Sequence, residues 1–301
     1  MNNADASSRE ISGDGPGASL RPQARDIVVV GLGLIGGSIA RATKRAWPKA
    51  RITGIDRAVI VEVAREEGII DAGGSPESAT DALAAADLVV LALPVLGIVE
   101  ALETFRAPLA ERAVITDTGS TKGAILAAAE ALELRRFVGG HPMTGKPAGG
   151  LAQSDPDLLV GASWFLSTHA SSNPESVGFL RRWVAELGAR PLEIDAAEHD
   201  HAVALTSHLP HIVANALAES VLESGAMDAA GGSLRDLLRV AGAPFNTWGD
   251  TLATNQTAVT EALGELIERL SRLKDQLHDR DRLRDLFARG RACKERVGTK
   301  G

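Results

Sequence analysis

No tyrosine occurs in the 301 residues, aromatic side chains make up 3% of them, and there is a single cysteine, Cys293. One cysteine excludes an internal disulfide framework and a cysteine-rich metal site, and it makes a reducing compartment, the cytoplasm, the expected location. No apolar run approaches the roughly 18 residues that a membrane span needs, so no membrane partner is expected. An apolar secretory core is missing from the polar, Gly/Ser/Asp-rich N-terminus, whose scattered acidic residues also oppose a transit peptide. Residues 1–24 therefore read as a disordered arm. A basic excess is missing too. There are 39 acidic against 32 basic residues, a formal net charge of −7, which opposes nucleic acid as a partner. What remains, 45% hydrophobic and 24% charged, is the composition of an ordinary globular protein with chain enough for two domains. The scarcity of aromatics by itself points to no function.

The apolar pattern divides the chain. Short strand-like runs occur at "DIVVV" (26–30), "RITGID" (51–56), "ADLVVLALP" (86–94), "AVITDTGS" (113–120), "RRFVGG" (135–140), "SWFLST" (163–168) and "ARPLEID" (189–195). Helical patterns separate several of them: "IARATKRAW", "AVIVEVAREEG", "KGAILAAAEAL" and "ESVGFLRRWVAELG". This alternation predicts a doubly wound, mostly parallel α/β sheet over residues 25–194. From Asp195 the strand signal disappears, and residues 195–292 read as all-helical, with 293–301 as a flexible tail. The last helical stretch carries Leu263, Ile267, Leu270, Leu273 and Leu277 at three- or four-residue spacing. Such a stripe packs either against a second subunit or back on the first domain, and a homodimer is the expectation.

Gly31, Gly33 and Gly36 form G-x-G-x-x-G, with Leu34 and Ile35 between the last two. The motif follows a strand, opens a helix, and is answered by Asp56 at the end of the next strand, the context of a Rossmann dinucleotide site. Gly31 permits the turn, Gly33 lets the backbone approach a pyrophosphate, and Gly36 lets helix and strand pack closely. Asp56 suits the hydroxyls of an NAD ribose and repels an NADP phosphate. Arg57 beside it offsets that repulsion, so NADP stays possible.

Hydride transfer from an alcohol carbon needs a base that titrates near neutrality, which points to histidine. In "GGHPMTG", His141 is either a turn residue or that base. Its place just after a strand, on the side where such sheets bind ligands, favours the base. Ser120 in "DTGSTKG" either caps a helix or lends its hydroxyl to the reacting group. In "SHLPHIVAN", Ser207, His211 and Asn215 fall on one helix face with His208 beside it, and Pro210 is expected to bend the helix. That polar stripe is either solvated surface or the lining of a cleft. The spacing of His199, His201, His208 and His211 lacks a metal-site pattern, and no metal is expected. Arg239, four residues after Arg235, is suited to carboxylate recognition, with ion pairing to Asp236 as the plainer reading.

Together "VVVGLGLIGGS", "DTGSTKG", "GGHPMTG", "HDHAVALTSHLPH", "LRDLLRVAG" and "NTWGDTLATN" resemble the prephenate/arogenate dehydrogenase family of tyrosine biosynthesis. The resemblance spans most of residues 26–260. It implies a Rossmann domain followed by an all-helical dimerisation domain, an NAD cofactor and a cyclohexadienyl acid as the small-molecule substrate. By resemblance His141 takes the proton of the ring hydroxyl, and Ser120 bridges that hydroxyl, His141 and the cofactor. Arg239 binds a substrate carboxylate, and Ser207, His208 and His211 line the pocket. The chain departs from the family pattern at Lys146-Pro147, at Leu238 and at Gly242-Ala243-Pro244, which leaves room for an amino-substituted prephenate analogue. A Rossmann domain followed by helices also suits a hydroxyacid dehydrogenase or imine reductase, and a non-catalytic NAD sensor. The stretch after the helical region is too short for a regulatory ACT domain or a fused chorismate mutase, so any tyrosine inhibition is expected to act at the active site.

Overall fold

The structure is a computed structural model, and it describes residues 24–243 and 245–298. The expected N-terminal arm, apart from Ala24, lies outside the described residues. The described chain forms two compact units: residues up to Val203 with Gly242–Asn255, and Ala204–Ala241 with the segment from Gln256 onward.

The first unit is built on eight strands: β1 Asp26–Val30, β2 Arg51–Ile55, β3 Ala72–Gly74, β4 Leu88–Leu91, β5 Val114–Asp117, β6 Phe137–Pro142, β7 Ser163–Ser167 and β8 Arg190–Glu193. Their order in the sheet is β3-β2-β1-β4-β5-β6-β7-β8. All neighbours are parallel except β6 and β7. The helices of this unit are α1 Leu34–Ala46, α2 Ala58–Glu66, α3 Thr80–Ala85, α4 Val95–Phe105, α5 Gly123–Ala131, α6 Pro174–Glu186, α7 Ala196–Val203 and, after the excursion through the second unit, α10 Phe245–Thr254.

Both faces of the sheet are covered, which is why its strands read as unbroken apolar runs. Ile27 and Val29 of β1 join Leu88, Val90, Val114 and Trp164 in one core with Ile39, Leu180 and Trp183 from α1 and α6. Val28 and Val30 join Val89, Leu91, Ile115 and Phe137 in the other, with Leu83, Ile98 and Ile125 from α3, α4 and α5. The period-two alternation of side chains thus feeds two hydrophobic layers at once.

In the second unit a π-helical turn, Ala204–His208, leads into α8 Leu209–Ser224, followed by α9 Gly232–Leu238, α11 Gln256–Asp275 and α12 Arg280–Gly298. Pro210 sits in the first turn of α8. It has no N–H and its ring presses on the carbonyl one turn back, so the wider turn forms immediately before it, at the place where a bend was expected. The C-terminal helical stretch is divided. Asn255 separates α10 from α11, and Asp279, whose side chain accepts from the N–H groups of Asp281 and Arg282, caps α12. Residues 293–298, expected in a flexible tail, are the end of α12.

Candidate active site

The glycine-rich turn lies where β1 passes into α1. Gly31 has φ +90°, and a Cβ there would lie 2.3 Å from the Ala92 carbonyl oxygen. A Cβ on Gly36 would lie 1.8 Å from the Gly31 carbonyl oxygen, so only glycine lets α1 start this close to the turn. Nothing lies within 4 Å of a Cβ built on Gly33, and no side chain caps the N-terminus of α1. The turn therefore presents an open backbone at the positive end of a helix, as a pyrophosphate requires. Asp56, at the end of β2, accepts from the Leu32 N–H at 2.7 Å and from the Arg57 N–H at 2.7 Å. Its carboxylate is thereby fixed beside the turn, while the Arg57 guanidinium is largely exposed and 3.9 Å away. These features fit a dinucleotide carrying a ribose diol.

His141 belongs to β6 itself and not to a turn after it. The strand changes partner midway. Phe137 and Val138 continue the parallel sheet against β5, while Gly139 to Pro142 pair antiparallel with β7. His141 thus extends beyond the end of β5, on the same sheet edge as Gly31 and Asp56. Gly140 is pinned from both ends. Its N–H donates to Asp117 at 2.9 Å, and its carbonyl accepts from Lys122 Nζ at 2.8 Å. A Cβ on Gly140 would lie 2.4 Å from the Asp117 carbonyl oxygen, which explains the glycine before the histidine. Lys122 and Asp117 form a wholly buried ion pair. Burial pulls the Lys122 ammonium below the ordinary lysine value, against the opposing charges of Asp117 and Asp200.

The His141 ring meets a second histidine. His141 Nδ1 is 2.9 Å from His199 Nε2, and His199 Nδ1 is 2.8 Å from Asp200 Oδ1. His199 is fully buried, edge-on to both His141 and Phe165. Asp200 also accepts the Lys122 N–H at 2.7 Å and the Gly123 N–H at 2.8 Å, so it is the anionic cap of α5. Burial pushes the Asp200 carboxyl up, but the bonds from His199, Gly123 and Lys122 outweigh it and hold the group below the usual carboxylate range. Ser120 is not the cap of α5. Its hydroxyl pairs with Thr251 Oγ1 of α10 at 2.8 Å, and Thr121 pairs with Thr254 at 2.8 Å. In the sequence His199 stands out only among the histidines weighed for a metal, and Asp200, Asp117 and Thr251 not at all. The adjacent "HD" after a strand-rich region is the available signal, but its partners are 58 and 78 residues away.

In the second unit His208 is buried, Ser207 and His211 are half-buried, and Asn215 is exposed, its side chain turned back to the His211 carbonyl at 2.8 Å. Burial holds the His211 imidazole below the usual histidine range, against an opposing hydrogen bond with the Val240 backbone. That contact brings α8 to the segment that follows α9, where Arg239 is exposed. Lys146, in the first unit, is tied to its own loop through Gln153 O at 3.0 Å and Asp155 at 3.2 Å.

Two family models match end to end: the nucleotide-binding domain of prephenate dehydrogenase over residues 39–193, and its dimerization domain over 195–289. The chain belongs to the prephenate dehydrogenase family. A prephenate dehydrogenase of Lactococcus lactis is 32% identical over 268 residues, 85% of this chain and 72% of the relative. Among solved structures, Aquifex aeolicus prephenate dehydrogenase in complex with hydroxyphenyl propionate and NAD+ superposes with a TM-score of 0.83 at 27% identity, covering 91% of this chain and 98% of that one. Synechocystis arogenate dehydrogenase gives a TM-score of 0.80 at 29% identity, covering 90% and 99%. Membership of this family makes the protein an NAD-dependent oxidoreductase. Among the described residues no helix is long and apolar enough to cross a membrane.

Proposed function

We propose that this protein oxidatively decarboxylates prephenate to 4-hydroxyphenylpyruvate, or arogenate to tyrosine, with NAD as hydride acceptor. The observation that carries the reading is His141, held by β6 past the end of β5, on the sheet edge that bears the open glycine turn. Gly31, Gly33, Leu34, Ile35 and Gly36 would hold the pyrophosphate, and Asp56 with Arg57 the adenosine ribose. Bound NAD supplies the acceptor for the hydride leaving ring C4. His141 takes the proton of the C4 hydroxyl as that hydride departs, so the carbon reaches the carbonyl level. The ring C1–CO2 bond then breaks, carbon dioxide leaves, and its electron pair makes the ring aromatic. Ser120 orients the hydroxyl toward His141. Arg239 binds a substrate carboxylate by charge-assisted hydrogen bonds, and Ser207, His208 and His211 line the substrate pocket.

The carboxylate of Asp56 favours NAD over NADP, because a 2′-phosphate would meet its charge. The protein works as a cytoplasmic homodimer, with the exposed apolar positions of α11 and α12 facing the partner. The test of the site is His141→Asn. This variant keeps NAD binding, read by quenching of tryptophan fluorescence, and loses turnover by about 10²–10⁴-fold, the usual contribution of a positioned base. Turnover at the wild-type rate would remove His141 from the chemistry.

A further inference from the structure

We propose that His199, backed by Asp200, is a positioning residue that sets the tautomer of His141. The inference rests on the reading of His141 as the base. A carboxylate only accepts hydrogen bonds, so the 2.8 Å contact with Asp200 Oδ1 places a proton on His199 Nδ1. In neutral His199 the other ring nitrogen, Nε2, is then a lone-pair acceptor. The 2.9 Å contact with His141 Nδ1 is therefore donated by His141. That fixes the proton of neutral His141 on Nδ1 and leaves Nε2 as its basic nitrogen. When His141 Nε2 takes the substrate proton, the imidazolium still donates through Nδ1, now toward a histidine polarised by a carboxylate. The two states of the base need no rearrangement between them.

The surroundings are built to hold this order. Asp200 cannot turn away, since its two oxygens take the Lys122 and Gly123 N–H groups at the start of α5 and its main-chain carbonyl accepts from Asn255 Nδ2 at 2.7 Å. His199 is fully buried and packed edge-on against Phe165, the residue that pairs with His141 across β6 and β7. Lys122, whose N–H Asp200 accepts, pairs through Nζ with the buried carboxylate of Asp117.

The test uses the full chain, labelled with 15N-histidine, and variants of one position. In wild-type protein at alkaline pH, the long-range 1H–15N pattern of His141, assigned by its loss in His141→Asn, is that of the Nδ1–H tautomer. In His199→Phe, which keeps a ring and removes the acceptor, it reverts to the Nε2–H form that dominates free histidine. With it kcat falls about 100-fold, the KM for NAD stays put, and the acid limb of the kcat/KM profile moves to lower pH. His199→Gln, whose Oε1 restores an acceptor, recovers about tenfold of the loss. A wild-type His141 in the Nε2–H form overturns the proposal, as does a doubly protonated His199 in the neutral-pH enzyme. Wild-type kcat and an unmoved pH profile in His199→Phe, beside an inactive His141→Asn, overturn the positioning role and leave the base in place. An active His141→Asn overturns the base instead, while the tautomer pattern still reads the His199 contact. If His199→Phe fails to fold, the wild-type spectrum and His199→Gln decide.

Discussion

Asp200 carries a carboxylate into a mostly buried position, and the bonds that hold it there couple its ionisation to stability. Burial raises its pKa, the bonds from His199, Gly123 and Lys122 lower it by more, and the net folded value lies below the ordinary one. The native state therefore binds fewer protons at this site than the unfolded chain does. The contribution is fully present above the unfolded carboxyl pKa, about 3.9, and is lost as pH falls through the lower folded value. Asp200→Asn puts an amide N–H₂ against at least one N–H that now finds an oxygen. It is expected to cost about 1–3 kcal/mol in urea unfolding at neutral pH, with the gap to wild type narrowing below about pH 4. A gap of the same size at every pH would mean that the charge of Asp200 is not what matters. At this scale little of the site is legible in the sequence. Gly31, Gly36, Asp56 and His141 stand in short motifs whose spacing can be recognised without their distant partners. His199, Asp200 and Lys122 acquire meaning only through contacts that the fold brings from far along the chain.

Among the elements, the strands with β-branched runs are readable: β1, β2, β4 and β5 all fall within the predicted segments. β3 is not, because "AGG" has neither β-branched residues nor alternation. The sequence pattern ends β6 at Gly140, since Gly-Gly-His-Pro is turn chemistry, yet the change from β5 to β7 as partner lets the strand run through it. The long helical tail reads as one pattern, although Asp279 is a recognisable cap. The apolar stripe on that tail persists in the structure. Leu263 and Leu273 are half-buried in α11, Ile267 and Leu270 are each 53% exposed, and Leu277 lies in the connection to α12. These open apolar side chains on adjacent turns are where the proposed homodimer would meet its partner. For the proposed homodimer, Ile267→Lys combined with Leu270→Lys is expected to leave a monomer in sedimentation velocity. A dimer unaffected by both charges would place its interface elsewhere.

At the level of the whole molecule, the sequence pattern of a nucleotide-binding α/β layer followed by helices is also the order of the two family models, 39–193 and 195–289. The compact units are drawn differently, with α7 and α10 grouped with the sheet. Particular side chains account for this: α7 brings His199 and Asp200 to β6 and α5, and α10 brings Thr251 to Ser120. Pattern reading follows the chain in order, and a helix that returns to an earlier layer leaves no mark in periodicity. One assay tests the proposed chemistry. Purified protein is mixed with NAD or NADP and with prephenate or arogenate, and the absorbance of the reduced nicotinamide is followed while the product is identified by mass. NAD reduction is expected, slower with NADP, in one-to-one proportion with 4-hydroxyphenylpyruvate from prephenate or tyrosine from arogenate. Bound NAD with no reduction by either acid would contradict it.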